Sequence, residues 1–174
     1  MLLPINNTSY STVNGPGYRY VLWVQGCKLN CKGCFNPETH SYNVATTMDI
    51  NNIASEINSN PLIDGITISG GDPLDYSIEL IGLLKLIKQS LTTIIFTGYT
   101  IKEIAKDSEK LKLIKNVDLV LSGRFNNKLE HPYLGKKIMN VTDRVDYHYF
   151  MPKTNIEYSI DQSKVTKTGI FKTS

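Results

Sequence analysis

The chain has 174 residues, 41% of them hydrophobic and 20% charged, and carries a net charge of +3. That length suits one domain of roughly 100–200 residues, and the balance buries a real core, which excludes a disordered chain. No apolar run reaches the about 18 residues of a membrane span, the start Met1-Leu2-Leu3-Pro4 lacks the marks of a signal peptide, and scattered lysines without interleaved aromatics make no nucleic-acid platform, so a cytoplasmic protein is expected.

In chain order, the breaker Gly15-Pro16-Gly17 precedes Arg19 to Gln25, whose β-branched and aromatic residues predict a first strand. Its continuation holds all three cysteines of the chain, Cys27, Cys31 and Cys34. An odd number within eight residues is wrong for a disulfide framework and suits a reducing compartment. Thr46 or Thr47 then caps a predicted helix in which Ile50, Ile53 and Ile57 recur at helical spacing, ending near Asn60-Pro61.

Gly65 to Ser69 reads as a buried strand, stopped by Gly70-Gly71-Asp72-Pro73. A helix follows between Asp75 and Gln89, with Ile78, Ile81, Leu84 and Ile87 on its buried face and Leu80 and Leu83 widening the stripe. Thr93 to Thr97 is the third strand, ended by Gly98. Residues 101 to 115 read as a helix broken near Asp107-Ser108, with Lys102, Lys106, Lys110, Lys112 and Lys115 as a solvated face, and Val117 to Ser122 is the fourth strand. Further on, Val145, Tyr147 and Tyr149 alternate with polar residues, and residues 156–160 and 165–170 flank a polar turn as a hairpin.

Strands alternating with helices imply βαβ units and a parallel sheet. The expected fold is α/β: a single domain over residues 1–174 forming a compact partial (β/α) barrel of mostly parallel strands with helices outside, plus a short C-terminal β-hairpin. In such sheets ligands bind outside the carboxyl ends of the strands. The cysteine loop, Gly70-Gly71, Gly98-Tyr99 and Gly123-Arg124 all follow strands, so all four are expected at one edge.

Iron–sulfur clusters are held by cysteine thiolates, normally four for a four-iron cluster, so three leave one iron without a protein ligand. Two other readings compete. His40 follows Cys34 after five intervening residues, which allows a closed zinc site of three cysteines and one histidine. A cluster that only transfers electrons is the other. His131 and His148 are available as bases, although lone histidines are more often packing or surface residues. Arg19 is either a charge on the substrate side or a surface residue.

The Cys-x3-Cys-x2-Cys loop after a strand, followed by Gly-Gly-Asp-Pro after the next, resembles the radical S-adenosylmethionine superfamily. Within it, the motifs resemble those of the activating proteins of anaerobic ribonucleotide reductase. The likeness rests on Asn14 to Arg19, Gly26-Cys27, Cys31 to Asn36, Ser69 to Leu74, Thr97 to Thr100 and Asp118 to Phe125, a motif-bearing core of about residues 14–125 with residues 126–174 as an extension. Tyr133 to Asn140 departs from the Gly-Ser-x-Asn-Gln pattern of those activators.

The resemblance implies a 4Fe-4S cluster on Cys27, Cys31 and Cys34, with S-adenosyl-L-methionine closing the shell of the fourth iron. It implies reductive cleavage of that cofactor to a 5′-deoxyadenosyl radical, which takes hydrogen from a glycine of a large partner, an anaerobic ribonucleotide reductase, with a flavodoxin or ferredoxin as electron donor; the alternative within the superfamily is a related radical enzyme modifying a peptide or small molecule. Phe35, Asn36, Ser69, Gly70, Gly71, Asp72, Thr97, Gly98 and Tyr99 are the implied cofactor contacts. Gly70 and Gly71 are expected to let backbone approach the methionine part, Asp72 to cap the following helix, and Tyr99 either to face adenine or to pack. No membrane or nucleic-acid partner is implied.

Overall fold

The computed structural model describes residues 1–43, 46–129 and 133–150, and the backbone of 155–161 and 164–170. Seven strands form one sheet: β1 (Leu2–Ser11), β2 (Arg19–Val24), β3 (Thr47–Asp49), β4 (Gly65–Gly70), β5 (Thr92–Thr97), β6 (Leu119–Ser122) and β7 (Lys137–Asn140), in the order β3-β1-β2-β4-β5-β6-β7. The four central strands β2, β4, β5 and β6 run parallel, and each flank is completed by antiparallel pairing. Among the described residues the sheet does not close on itself, which agrees with a partial barrel. The expected hairpin is present as β8 (Asn155–Asp161) and β9 (Lys164–Ile170), a separate antiparallel pair.

Side-chain alternation along the strands separates two apolar layers. Tyr20, Leu22, Val24, Ile66, Ile68, Ile95 and Val120 lie in a core with residues of the helices α1 (Ile50–Ser59), α2 (Ser77–Leu84) and α4 (Ser108–Ile114). Ile94, Phe96, Leu119 and Leu121 instead pack with Val145 and Phe150, and Tyr133, Ile138, Tyr147 and Tyr149 join them. The first layer is the helix-covered outside of the sheet, and the second fills its inner face. No helix among the described residues is long and apolar enough to cross a membrane.

Several local expectations are corrected. The helix after the cysteine loop is capped by Asp49, whose side chain accepts from Asn51 N, because Thr47–Asp49 are drawn into pairing with β1. Residues 73–76 form a 3-10 turn ahead of α2, which rotates Ile78 outward to 58% exposure while Ile87, beyond the helix, is buried. The break at Asp107 is real: α3 (Ile101–Ile104) ends before it, and its carboxylate caps α4 through Glu109 N and Lys110 N. Tyr147–Phe150 is a 3-10 turn, not a strand.

Arg19 is neither a substrate-side charge nor a surface residue. At 1% exposure it sits at the foot of the inner face, donating to Thr67 Oγ1, Pro16 O, Thr92 Oγ1, Ile66 O and Thr92 O. Gly65 makes room for it: a Cβ there would lie 2.6 Å from Arg19 Nη2 and 2.2 Å from Thr92 O. Burial lowers the guanidinium pKa to about 10, so it remains charged at neutral pH.

Candidate functional site

The cysteine loop leaves β2 and is closed at its base by two backbone bonds, Gly26 N to Thr39 O at 2.8 Å and Cys27 N to His40 O at 3.1 Å. Gln25, buried at the hinge, donates from Nε2 to Glu38 O and Ser41 O. Inside the loop, Asn30 and Gly33 take left-handed backbone at φ 42 and 68, and Cys34 N donates to Cys31 O. These reversals fold the eight-residue run so that all three cysteines line one cavity. The thiols are unpaired and partly exposed, and burial pushes those of Cys27 and Cys34 upward.

The turn after β4 is sewn to the root of that loop: Gly71 N donates to Val24 O at 2.7 Å and Asp72 N to Gly26 O at 2.9 Å. The glycines are also required by the chain's own packing. A Cβ on Gly71 would stand 2.1 Å from Gly26 O and one on Gly70 2.4 Å from Val24 O, so the chain's own backbone occupies the space. Asp72, 1% exposed, caps as expected through Leu74 N, and it also accepts from Thr97 Oγ1 and Gly98 N, tying the β4 turn to the end of β5. Burial raises its carboxyl pKa to about 6 against the opposing pull of these donors.

Cys27, Cys31, Cys34, Phe35, Asn36, Ser69, Gly70, Gly71, Asp72, Thr97 and Gly98 all line this one cavity, which holds about 780 Å³ counting its open mouth. Tyr99 does not. Its hydroxyl donates to Asp75 at 2.7 Å, and its ring meets Lys110 at 4.9 Å and Arg124 at 5.7 Å from the centroid, so it packs behind the site. His148 stacks on Tyr147 away from the cavity, and His131 lies outside the described residues.

Sequence reasoning passed over several residues of the wall. Trp23 and Phe96 read as ordinary strand apolars, and only the parity of their strands turns them to the inner face. Tyr133 stacks on Phe96 with centroids 4.8 Å apart, and Phe125 lies 6.5 Å from Phe35. Lys136, in the segment that departs from the activators, donates from Nζ to Thr97 O at 3.1 Å and Gly123 O at 2.5 Å. Burial lowers the pKa of this ammonium group.

Among the described residues, no three histidine, cysteine, aspartate or glutamate side chains gather closely enough to hold one metal ion. A four-iron cluster asks for thiolates spread around a larger body, each on its own iron. Three free thiols around an aromatic-walled cavity meet that demand.

Residues 13–140 match the family of 4Fe-4S single cluster domains. The anaerobic ribonucleoside-triphosphate reductase-activating protein of Enterobacteria phage T4 is 33% identical over 125 residues, 67% of this chain and 77% of that one. The protein of the same name from Vibrio cholerae is 32% identical over 132 residues, 70% and 83% of the two chains. A pyruvate formate-lyase-activating enzyme from Listeria monocytogenes is 35% identical over 119 residues, 63% of this chain and 48% of that one. The crystal structure of QueE from Escherichia coli shares the fold, with a TM-score of 0.50 at 14% identity over 70% of each chain.

Proposed function

Because the chain belongs to the family of 4Fe-4S single cluster domains, we propose that it is a radical S-adenosylmethionine activating enzyme that installs a glycyl radical in an anaerobic ribonucleotide reductase. The observation that carries this reading is the convergence of Cys27, Cys31 and Cys34 with the Ser69 to Asp72 turn and Thr97-Gly98 on one cavity at the carboxyl ends of parallel strands. When bound, cluster and cofactor supply one-electron cleavage of a sulfonium bond and hydrogen-atom abstraction, chemistry that no side chain provides.

The residues of the chain bind, orient and shield. Three thiolates hold the cluster. Ser69, Gly70 and Gly71 offer backbone and hydroxyl polar groups beside it, and Asp72 holds that turn against β5 so that both strand ends keep one spacing. Phe35, Trp23, Phe96, Phe125 and Tyr133 surround the cavity with apolar surface, and Asn36 and Thr97 complete its wall. This apolar lining would keep bulk solvent away from the cofactor when it is bound. A flavodoxin or ferredoxin supplies the electron.

The test is electron paramagnetic resonance on anaerobically reconstituted protein mixed with an anaerobic ribonucleotide reductase, S-adenosylmethionine and a reductant. A glycyl doublet on the reductase is the expected result. Release of 5′-deoxyadenosine without that doublet would move the substrate elsewhere, and protein that takes up zinc but no iron or sulfide would end the reading.

A further inference from the structure

His40 lines the same cavity as the cysteines. Its carbonyl accepts from the Cys27 amide, which places it at the root of the cysteine loop, and it lines the cavity together with all three thiols. Its Nε2 is sealed from solvent and, among the described residues, has no hydrogen-bond partner. A buried polar atom left in that state costs ~1–3 kcal/mol, and folded proteins seldom leave one without a ligand or water to satisfy it. Other polar groups on the same wall are engaged: Asp72 accepts from Leu74, Thr97 and Gly98, and Lys136 donates to two carbonyls.

The cavity that His40 lines is lined as well by all three cysteines. We infer that His40 donates an Nε2–H hydrogen bond to a sulfur of the cluster held by Cys27, Cys31 and Cys34, and so raises the reduction potential of that cluster as a positioning residue. The inference rests on the proposed function, because it needs the cluster to be present. A neutral imidazole has one N–H, and placing it on Nε2 leaves Nδ1 as the acceptor. Hydrogen bonds to cluster sulfur draw charge from the iron–sulfur core and stabilise its reduced form, one of the levers by which proteins set such potentials.

The experiment is a redox titration of the reconstituted full chain, followed by electron paramagnetic resonance without S-adenosylmethionine, for wild type, His40→Gln and His40→Phe. At the wild-type midpoint, the ratio of reduced to oxidised cluster in His40→Phe is expected to fall about tenfold, ~59 mV for a one-electron couple. His40→Gln, which keeps an N–H, recovers part of the loss. Equal potentials in wild type and His40→Phe, with iron and sulfide at full occupancy in both, overturn the inference. Should the Phe variant fail to assemble a cluster, hyperfine spectroscopy of wild type labelled with 15N-histidine decides: a weak coupling through a hydrogen bond supports it, whereas no coupling, or one of the size of an iron-bound nitrogen, overturns it. A wild-type chain that binds no iron and sulfide sinks the proposed function as well, while a loaded cluster with an indifferent His40 sinks this inference alone.

Discussion

Asp72 shows how a single side chain near the cavity carries both a structural role and a pH signature. It is 1% exposed, and its two oxygens receive Leu74 N at 3.0 Å, Thr97 Oγ1 at 2.8 Å and Gly98 N at 2.7 Å. Desolvation still outweighs those donors and lifts the carboxyl pKa from 3.8 to about 6. Between those values the folded chain holds a proton that the unfolded chain has released, so this group favours folding most at low pH, and its contribution falls as pH rises through about 6. At ~1.36 kcal/mol per pH unit, that interval is worth up to about 3 kcal/mol. Asp72→Asn removes the titration, so the stability of wild type relative to the variant is expected to drop by most of that amount between pH 4 and pH 7. Urea denaturation of cluster-free protein across that range measures it, and a difference that stays flat with pH would contradict the assignment.

At the scale of elements, the foot and the head of the parallel strands do different work. Arg19 locks the foot, joining β2 to β4 and β5 through Thr67, Ile66 and Thr92. Arg19→Met leaves those buried acceptors short of donors and is expected to cost about 3 kcal/mol. Because the residue stands at the opposite end from the cysteine loop, the folded fraction should take up iron and sulfide as wild type does. Chemical denaturation and metal analysis read the two parts separately, and loss of iron from folded Arg19→Met would place this residue at the site after all. The sequence announced the central strands because each is a short β-branched run closed by a glycine turn, and it announced the cysteine triad because its spacing is local. It did not announce β1, β3 or β7. β1 carries Pro4 and the polar pair Asn6-Asn7 and pairs with a register shift, while β3 and β7 are three and four residues long and owe their extension to a partner strand. The same limit hid Trp23, Phe96, Tyr133 and Lys136 from the site, since their orientation depends on strand parity and on a return segment distant in sequence.

Across the whole molecule, the sheet divides two cores that stability alone does not distinguish. Outside, helices α1, α2 and α4 bury residues such as Leu113, fully inaccessible, against the strands. Inside, the segment containing Tyr133 and Phe150 folds back over Phe96, with the Phe150 ring edge-on to Phe96 at 5.7 Å and to Tyr133 at 5.6 Å. Phe96 and Tyr133 in turn line the cavity, so the inner core is continuous with the wall of the site and the outer core is not. Truncating a buried Leu or Phe to Ala costs ~2–5 kcal/mol through lost burial and the cavity left behind. Leu113→Ala and Phe150→Ala are therefore expected to lower the denaturation midpoint by comparable amounts. Only Phe150→Ala should also weaken S-adenosylmethionine binding several-fold in protein that remains folded and loaded with cluster, because relaxation of Phe96 and Tyr133 reshapes the cavity. Calorimetric titration of both variants well below their midpoints makes the comparison. Equal affinities would mean that the inner core supports the fold without shaping the site, and a loss in Leu113→Ala as large as in Phe150→Ala would mean that the sheet transmits strain from either face.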